Sequence, residues 1–266
     1  MNLGEITLVL GLDAAHLEEL RWTWPTWRRF KPELREMPAL IFYDPAQIVP
    51  ERVSFIREHP NVRWVPWEMP GARDQREKML TGFVQVPARE VLTPRYLKLD
   101  TDAVATGPGR WLKEEWFAPS RRGRVATMIS AKWTYSKPHD VILRLDEWAK
   151  GVRQLRRYPA LNLIGSPESN RVRHRRIISW IFFCQTAWTR QVAGWLGPDG
   201  RLPHPLQDTF LFYCAKRMRR RIIRERMSAY HWQHTRLPRI EGLVRELGMA
   251  PADLGASAEL LAVTAP

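Results

Sequence analysis

The segment Arg95–Thr106 reads Arg-Tyr-Leu-Lys-Leu-Asp-Thr-Asp-Ala-Val-Ala-Thr and holds the only Asp-x-Asp in the chain. Tyr96, Leu97 and Leu99 form a short apolar run that leads into Asp100 and Asp102. Side chains two apart on an extended segment point the same way, so both carboxylates are expected at one site where a strand ends. Two carboxylates that close repel unless a cation or hydrogen-bond donors compensate them. Mg2+ and Mn2+ prefer oxygen ligands and share one or two carboxylates with substrate phosphates. The plainer alternative is an Asp-rich turn that merely caps a strand. A further carboxylate, Asp208, follows Gln207 at a predicted helix start after Pro203 and Pro205, where Asp is also a common cap. His231 and His234 follow the last predicted strand, and neutral imidazole is an acceptable Mn2+ ligand. Surface histidines without a role fit the same positions.

The elements that must position these groups alternate. Ile6–Leu12 is an apolar run of the kind a parallel sheet buries. Asp13 is placed to cap a helix from Ala14 to about Phe30, which Pro25 should end or kink. Trp22, Trp24 and Trp27 read as packing residues. A second strand spans Pro38–Asp44, a short helix Pro50–His59 and a third strand Asn61–Trp67. A helix from Gly71 to about Val86 precedes the Asp-x-Asp strand. This order argues for an α/β fold with a mostly parallel sheet in its N-terminal half. Ligands in such sheets gather at the carboxyl ends of the strands, where Gly11, Asp44, Glu68 and Asp100 fall. Further on, strands are expected at Arg124–Ser130, Ile177–Cys184 and Ile222–Tyr230. Helices are expected at Val141–Tyr158, around Thr189–Leu196, and from the Pro203 region to about Arg219. Leu163–Arg176 reads as a loop.

Tyr96-Leu97-Lys98-Leu99-Asp100-Thr101-Asp102, placed after three βα units, resembles the GT-A glycosyltransferases, whose nucleotide-binding half ends in an apolar strand and an Asp-x-Asp. The resemblance spans Ile6 to His234 in element order, but only this motif is sharp. It implies a GT-A-like, Rossmann-type mixed sheet flanked by helices in a single catalytic domain, residues 1–247. Residues 1–106 would bind the nucleotide and 107–247 the acceptor, with a weakly ordered tail at 248–266. It further implies transfer of a sugar from a UDP or GDP sugar to an acceptor hydroxyl, aided by Mn2+ or Mg2+. Asp102 would hold the metal with Asp100 and with His231 or His234. Asp100 and Thr101 would also meet the donor, as would Gly11 and Asp44. A basic residue on the helix before the motif, Arg76 or Lys78, would reach the diphosphate. Gln207-Asp208 stands where inverting members carry their catalytic carboxylate, often after a Glu. That makes Asp208 the general base of an inverting reaction. Arg173, Arg175 and Arg176 lie in the acceptor half and suit an anionic acceptor.

The chain has 42 Lys plus Arg against 28 Asp plus Glu, a net charge of +14 over 266 residues. Such a charge favours anionic partners: phosphorylated small molecules, anionic lipid head groups or nucleic acid. A nucleic-acid-binding protein is the first rival reading, yet the cations are spread and no recognition module appears. A nucleotidyltransferase is the second, and it lacks the Gly-rich loop it would need after the first strand. No dinucleotide-binding or P-loop glycine pattern occurs. Cys184 and Cys214, the only cysteines, sit in apolar surroundings and are expected as buried thiols. No targeting segment or spanning window is evident, so a cytoplasmic location is expected, with peripheral membrane contact open.

Overall fold

Every residue of β1 (Ile6–Leu12) is buried, and its period of two divides the core. Ile6, Leu8, Leu10 and Leu12 join the cluster under α1 (Ala14–Phe30), while Val9 joins a second cluster on the other face. The computed structural model describes residues 2–131, 181–202, 207–230 and 237–252, apart from positions 58, 60, 109, 110, 122, 124, 198, 226 and 228. β2 (Ala39–Tyr43), β3 (Val62–Pro66) and β4 (Arg95–Leu99) run parallel to β1, in the order β3-β2-β1-β4. Between them lie α2 (Ser54–Arg57) and α3 (Gln75–Glu90). Beyond β4 the seven-stranded sheet continues as β7 (Ile181–Gln185), β6 (Met128–Ala131) and β8 (Ile222–Glu225). β7 is antiparallel to both neighbours, and β6 and β8 are parallel to each other. All strands of this sheet except β7 therefore point one way. The fold is the mixed, mostly parallel α/β sheet expected from the alternation.

α1 begins and ends where its sequence signals lie. The Asp13 carboxylate accepts from the His16 backbone N–H, the usual N-cap bond. Pro25 does not end the helix. Proline removes the N–H that would bond the carbonyl four residues back, here Arg21, and that carbonyl instead accepts from Ala252 N at 2.8 Å. Arg21 Nε returns a bond to Ala252 O at 3.0 Å. The chain through Ala252 is thus held against α1, next to α7 (Leu237–Glu246), a helix beyond those expected from the sequence. Trp22, Trp24 and Trp27 are all buried, as expected of packing residues.

Several boundaries moved. α3 starts at Gln75 rather than Gly71: Gly71 adopts φ 78°, and Asp74 caps the helix through Glu77 N at 2.7 Å. Among the described residues the remaining α-helices are α4 (Glu114–Phe117), α5 (Thr186–Ala193) and α6 (Gln207–Arg217). α5 begins directly after β7, three residues ahead of expectation. The strand expected over Arg124–Ser130 is shortened to β6. The single strand expected over Ile222–Tyr230 is two. Ile222–Glu225 joins β6, while β9 (Ala229–Tyr230) pairs with β5 (Val104–Ala105) in a separate two-stranded sheet. The expected helix Val141–Tyr158 and loop Leu163–Arg176 lie outside the described residues.

Cys184 and Cys214 are free and buried, as anticipated. Burial pushes both thiols up to about 12, against local hydrogen bonds that pull the other way. Since the thiolate is the reactive form, neither should react with a disulfide reagent at pH 8 in the native protein. Both should react once urea unfolds it, as absorbance would show. Fast native-state labelling would contradict their burial.

Candidate active site

β4 alternates its side chains between the two cores. Leu97 and Leu99 pack toward α1, whereas Tyr96 and Lys98 face the cluster built from α3, α5 and α6. Lys98 is only 1% exposed, its ammonium 4.4 Å from the centre of the Phe83 ring and ion-paired with Asp100. A buried ammonium is costly unless paired, which explains why a strand that looks apolar tolerates this lysine. The strand ends at Leu99. Asp100, Thr101 and Asp102 therefore lie on a turn closed by Ala103 N to Asp100 O at 3.2 Å, not two apart on an extended strand. The turn still places both half-buried carboxylates at the carboxyl end of β4.

α1 runs alongside this turn. Glu19 Oε2 bonds the Thr101 hydroxyl at 2.7 Å, and Thr23 Oγ1 donates to Thr101 O at 2.6 Å. Burial, then the neighbouring Asp102 charge, lifts the Glu19 carboxyl to about 7, with Asp100 adding to the effect and Thr101 and His16 opposing it. At the head of α1, His16 Nδ1 lies 2.6 Å from Asp13 Oδ1, and Gln75 Nε2 donates to Asp13 Oδ2 at 3.1 Å. Burial acts to raise Asp13, but the His16 hydrogen bond and charge, with Gln75, more than offset it and bring the carboxyl down to about 2. Burial likewise acts to lower His16, and Asp13 outweighs it with help from Glu19 and Asp100, so the imidazole is raised.

The pair contributes stability in a defined window. Asp13 is depressed, so its share is present above the ordinary carboxylate value and lost as pH falls toward about 2. His16 is raised, so its share is complete below about 6.5 and lost as pH climbs through its higher folded value. Asp13→Asn keeps the cap and removes the charge. It should cost about 1–2 kcal/mol at pH 5.5 and distinctly less at pH 9, read from urea midpoints. Equal losses at both pH values would contradict the ion pair.

At the next strand end, Asp44 Oδ1 pairs with Lys78 Nζ at 2.9 Å, and Asp44 Oδ2 accepts from Gln47 Nε2 at 3.1 Å. Gln47 Oε1 in turn accepts from Ala14 N at 3.1 Å. The structure thus brings Asp13, Asp44, Lys78, Asp100, Thr101 and Asp102 to one edge of the sheet. Lys78 is engaged by Asp44, and Arg76, in the first turn of that helix, is exposed. Gly11 is buried within β1, and a Cβ there would lie 2.4 Å from Phe42 Cζ, so packing against Phe42 explains this glycine. α6 leads through a tight turn into β8, which parallels β4 through β6, so its first turn with Asp208 lies toward the same edge. Asp208 falls second in the helix rather than before it. Gln207 is 1% exposed, and among the described residues neither its amide nitrogen nor its oxygen has a hydrogen-bond partner. A buried amide in that state is expensive unless something polar meets it. Only the tertiary placement reveals that signal.

Asp100 and Asp102 offer only oxygen ligands, the donor type that Mg2+ and Mn2+ prefer. Among the described residues no cluster of three or more His, Cys, Asp or Glu is arranged to hold a metal. His231, His234, Arg173, Arg175 and Arg176 lie outside the described residues. No described helix is long and apolar enough to cross a membrane.

No protein-family model matches the chain, and no curated protein matches its sequence. Solved structures do match its shape. The galactosyltransferase LgtC, in complex with donor and acceptor sugar analogues, aligns with a TM-score of 0.53 at 10% identity, covering 92% of this chain and 98% of LgtC. The bifunctional glycosyltransferase WbbM aligns with a TM-score of 0.49 at 10% identity, over 91% of this chain and 44% of WbbM. Glucosyl-3-phosphoglycerate synthase from Mycobacterium tuberculosis, solved with Mn2+, UDP and phosphoglyceric acid, aligns with a TM-score of 0.45 at 13% identity, over 91% and 75%. With its strand order, its reversed β7 and the Asp100–Asp102 turn at the end of β4, the chain has the GT-A glycosyltransferase fold.

Proposed function

We propose that the protein is a glycosyltransferase that moves a sugar from a nucleoside diphosphate sugar, of UDP or GDP type, to an acceptor hydroxyl. The observation that carries this reading is the Lys98–Asp100–Asp102 arrangement on the turn after β4. Lys98 neutralises Asp100, which orients that carboxylate toward hydrogen-bonding ribose or sugar hydroxyls. Asp102 would hold Mn2+ or Mg2+, with His231 or His234 as a further ligand. When bound, the metal neutralises the charge that develops on the leaving diphosphate. Asp44 is placed for the base or ribose, and Arg76 for the diphosphate. Asp208 takes the acceptor proton as general base, which makes the reaction inverting. Gln207 supplies an amide that bound sugar hydroxyls would satisfy. Arg173, Arg175 and Arg176 suit an anionic acceptor, such as a phosphorylated glycan or a lipid-linked head group met at a membrane surface.

A thermal-shift panel of UDP and GDP sugars, with and without Mn2+, tests the reading. A ligand that binds only the native state adds about 2.7 kcal/mol at a hundredfold excess over its Kd, so a donor should raise the melting temperature visibly and only with metal. No shift with any nucleotide sugar, alongside salt-dependent binding of RNA or DNA, would favour the nucleic-acid alternative instead.

A further inference from the structure

We propose that α1 positions the metal and donor carboxylates, with Glu19 and Thr23 as positioning residues acting through Thr101; the proposal rests on the reading of Asp100 and Asp102 given above. The turn after Leu99 leaves the sheet, so no strand ladder fixes it. α1 does so instead. Glu19, Thr23, Thr26 and Trp27 follow the four- and three-residue spacing of one helix stripe, and each bonds the segment that carries the carboxylates. Glu19 takes the Thr101 hydroxyl at 2.7 Å, and Thr23 donates to the Thr101 carbonyl at 2.6 Å. Trp27 Nε1 donates to Ala103 O at 2.6 Å, and Thr26 Oγ1 accepts from Ala105 N at 3.1 Å while donating to Thr23 O at 2.7 Å.

Threonine is a poorer helix former than alanine or leucine, and a buried hydroxyl without a partner is destabilising. Two fully buried threonines on the core side of a helix therefore need a reason. Their hydroxyls supply it by holding backbone groups of the turn. Thr101 sits between Asp100 and Asp102, so a rotation of its backbone swings both carboxylates. Loss of groups that orient metal-binding side chains typically costs 10–100-fold in metal affinity.

The test uses the full chain with Thr23→Val, Thr23→Ser, Glu19→Ala and Glu19→Gln. Mn2+ alone is titrated by electron paramagnetic resonance, and amide hydrogen exchange is followed across residues 100–105 without ligand. Thr23→Val and Glu19→Ala should weaken Mn2+ binding about 10–100-fold and speed exchange in that segment, while exchange in β1 and β2 stays at the wild-type rate. Thr23→Ser and Glu19→Gln keep the hydrogen-bonding atom and should restore both readouts to within a few-fold of wild type. Wild-type Mn2+ binding and unchanged local exchange in Thr23→Val and Glu19→Ala would overturn the proposal. Should wild-type protein bind no Mn2+, the reading of the metal site fails, and exchange alone decides: acceleration confined to 100–105 upholds positioning by α1, and its absence refutes it. A variant that speeds exchange everywhere refutes it too, because the bonds would then serve only global stability.

Discussion

Asp102→Asn abolishes Mn2+-dependent binding of the nucleotide sugar and leaves the melting temperature within a few degrees of wild type. The expectation follows from how charge is distributed on the turn. Asp100 is already paired with a lysine that is 1% exposed, whereas the Asp102 charge weighs on the neighbouring Glu19 carboxyl, an unfavourable contact that a bound cation would offset. An amide there offers an oxygen without charge, and the affinity loss should be at least about 100-fold, the upper range for disturbing a metal site's supporting groups alone. Stability should hold, because Asp102 is half-buried and belongs to neither core cluster. Its repulsion of Glu19 also disappears. Asp100→Asn gives the contrasting result. It removes the charge paired with the buried Lys98 ammonium and should cost about 1–3 kcal/mol of stability. Calorimetry and binding isotherms on the two variants separate the roles. Metal-dependent donor binding that survives Asp102→Asn would rule out Asp102 as the ligand.

Asp208→Asn should leave donor affinity unchanged and slow transfer by about 10²–10⁴-fold, the usual contribution of a positioned general base. The fold makes this a sharper experiment than the sequence did. α6 starts at Gln207, so Asp208 lies inside the first turn and does not cap the helix. Its structural worth there is the favourable interaction of an acid with the helix N-terminus, about 0.3–1 kcal/mol. A substitution that removes so little stability cannot produce a large rate loss by unfolding the protein. Turnover and donor binding measured on the same preparation decide the matter. Transfer at near wild-type rate would remove Asp208 from the mechanism and direct attention to Gln207, the buried amide beside it.

How far the sequence alone reaches is set by the range of the interactions involved. β1 was legible to the residue, and α1 in its start and its approximate end. An unbroken apolar run and an Asp cap are local signals that act within a few positions. The Asp-x-Asp was visible for the same reason, as was the α/β alternation that leads to the GT-A fold. Local signals also misled where partners compete. Ile222–Tyr230 has strand character throughout, yet it divides because Ile222–Glu225 meets β6 and Ala229–Tyr230 meets β5. Pro25 has a breaking tendency, which the distant Ala252 N–H accommodates by donating to the Arg21 carbonyl that the proline leaves unpaired. What the tertiary structure alone decided is the electrostatics of the site. Glu19 drew no notice in the chain, since nothing near it in sequence marks it as bound to Thr101, 82 positions away. Lys98 looked like an ordinary charge on a strand until Phe83 and Phe182 closed over it. Gln75 reaches Asp13 across 62 positions. Charges and hydrogen bonds of this kind depend on burial and on a few ångströms of separation, and both exist only once distant segments have packed.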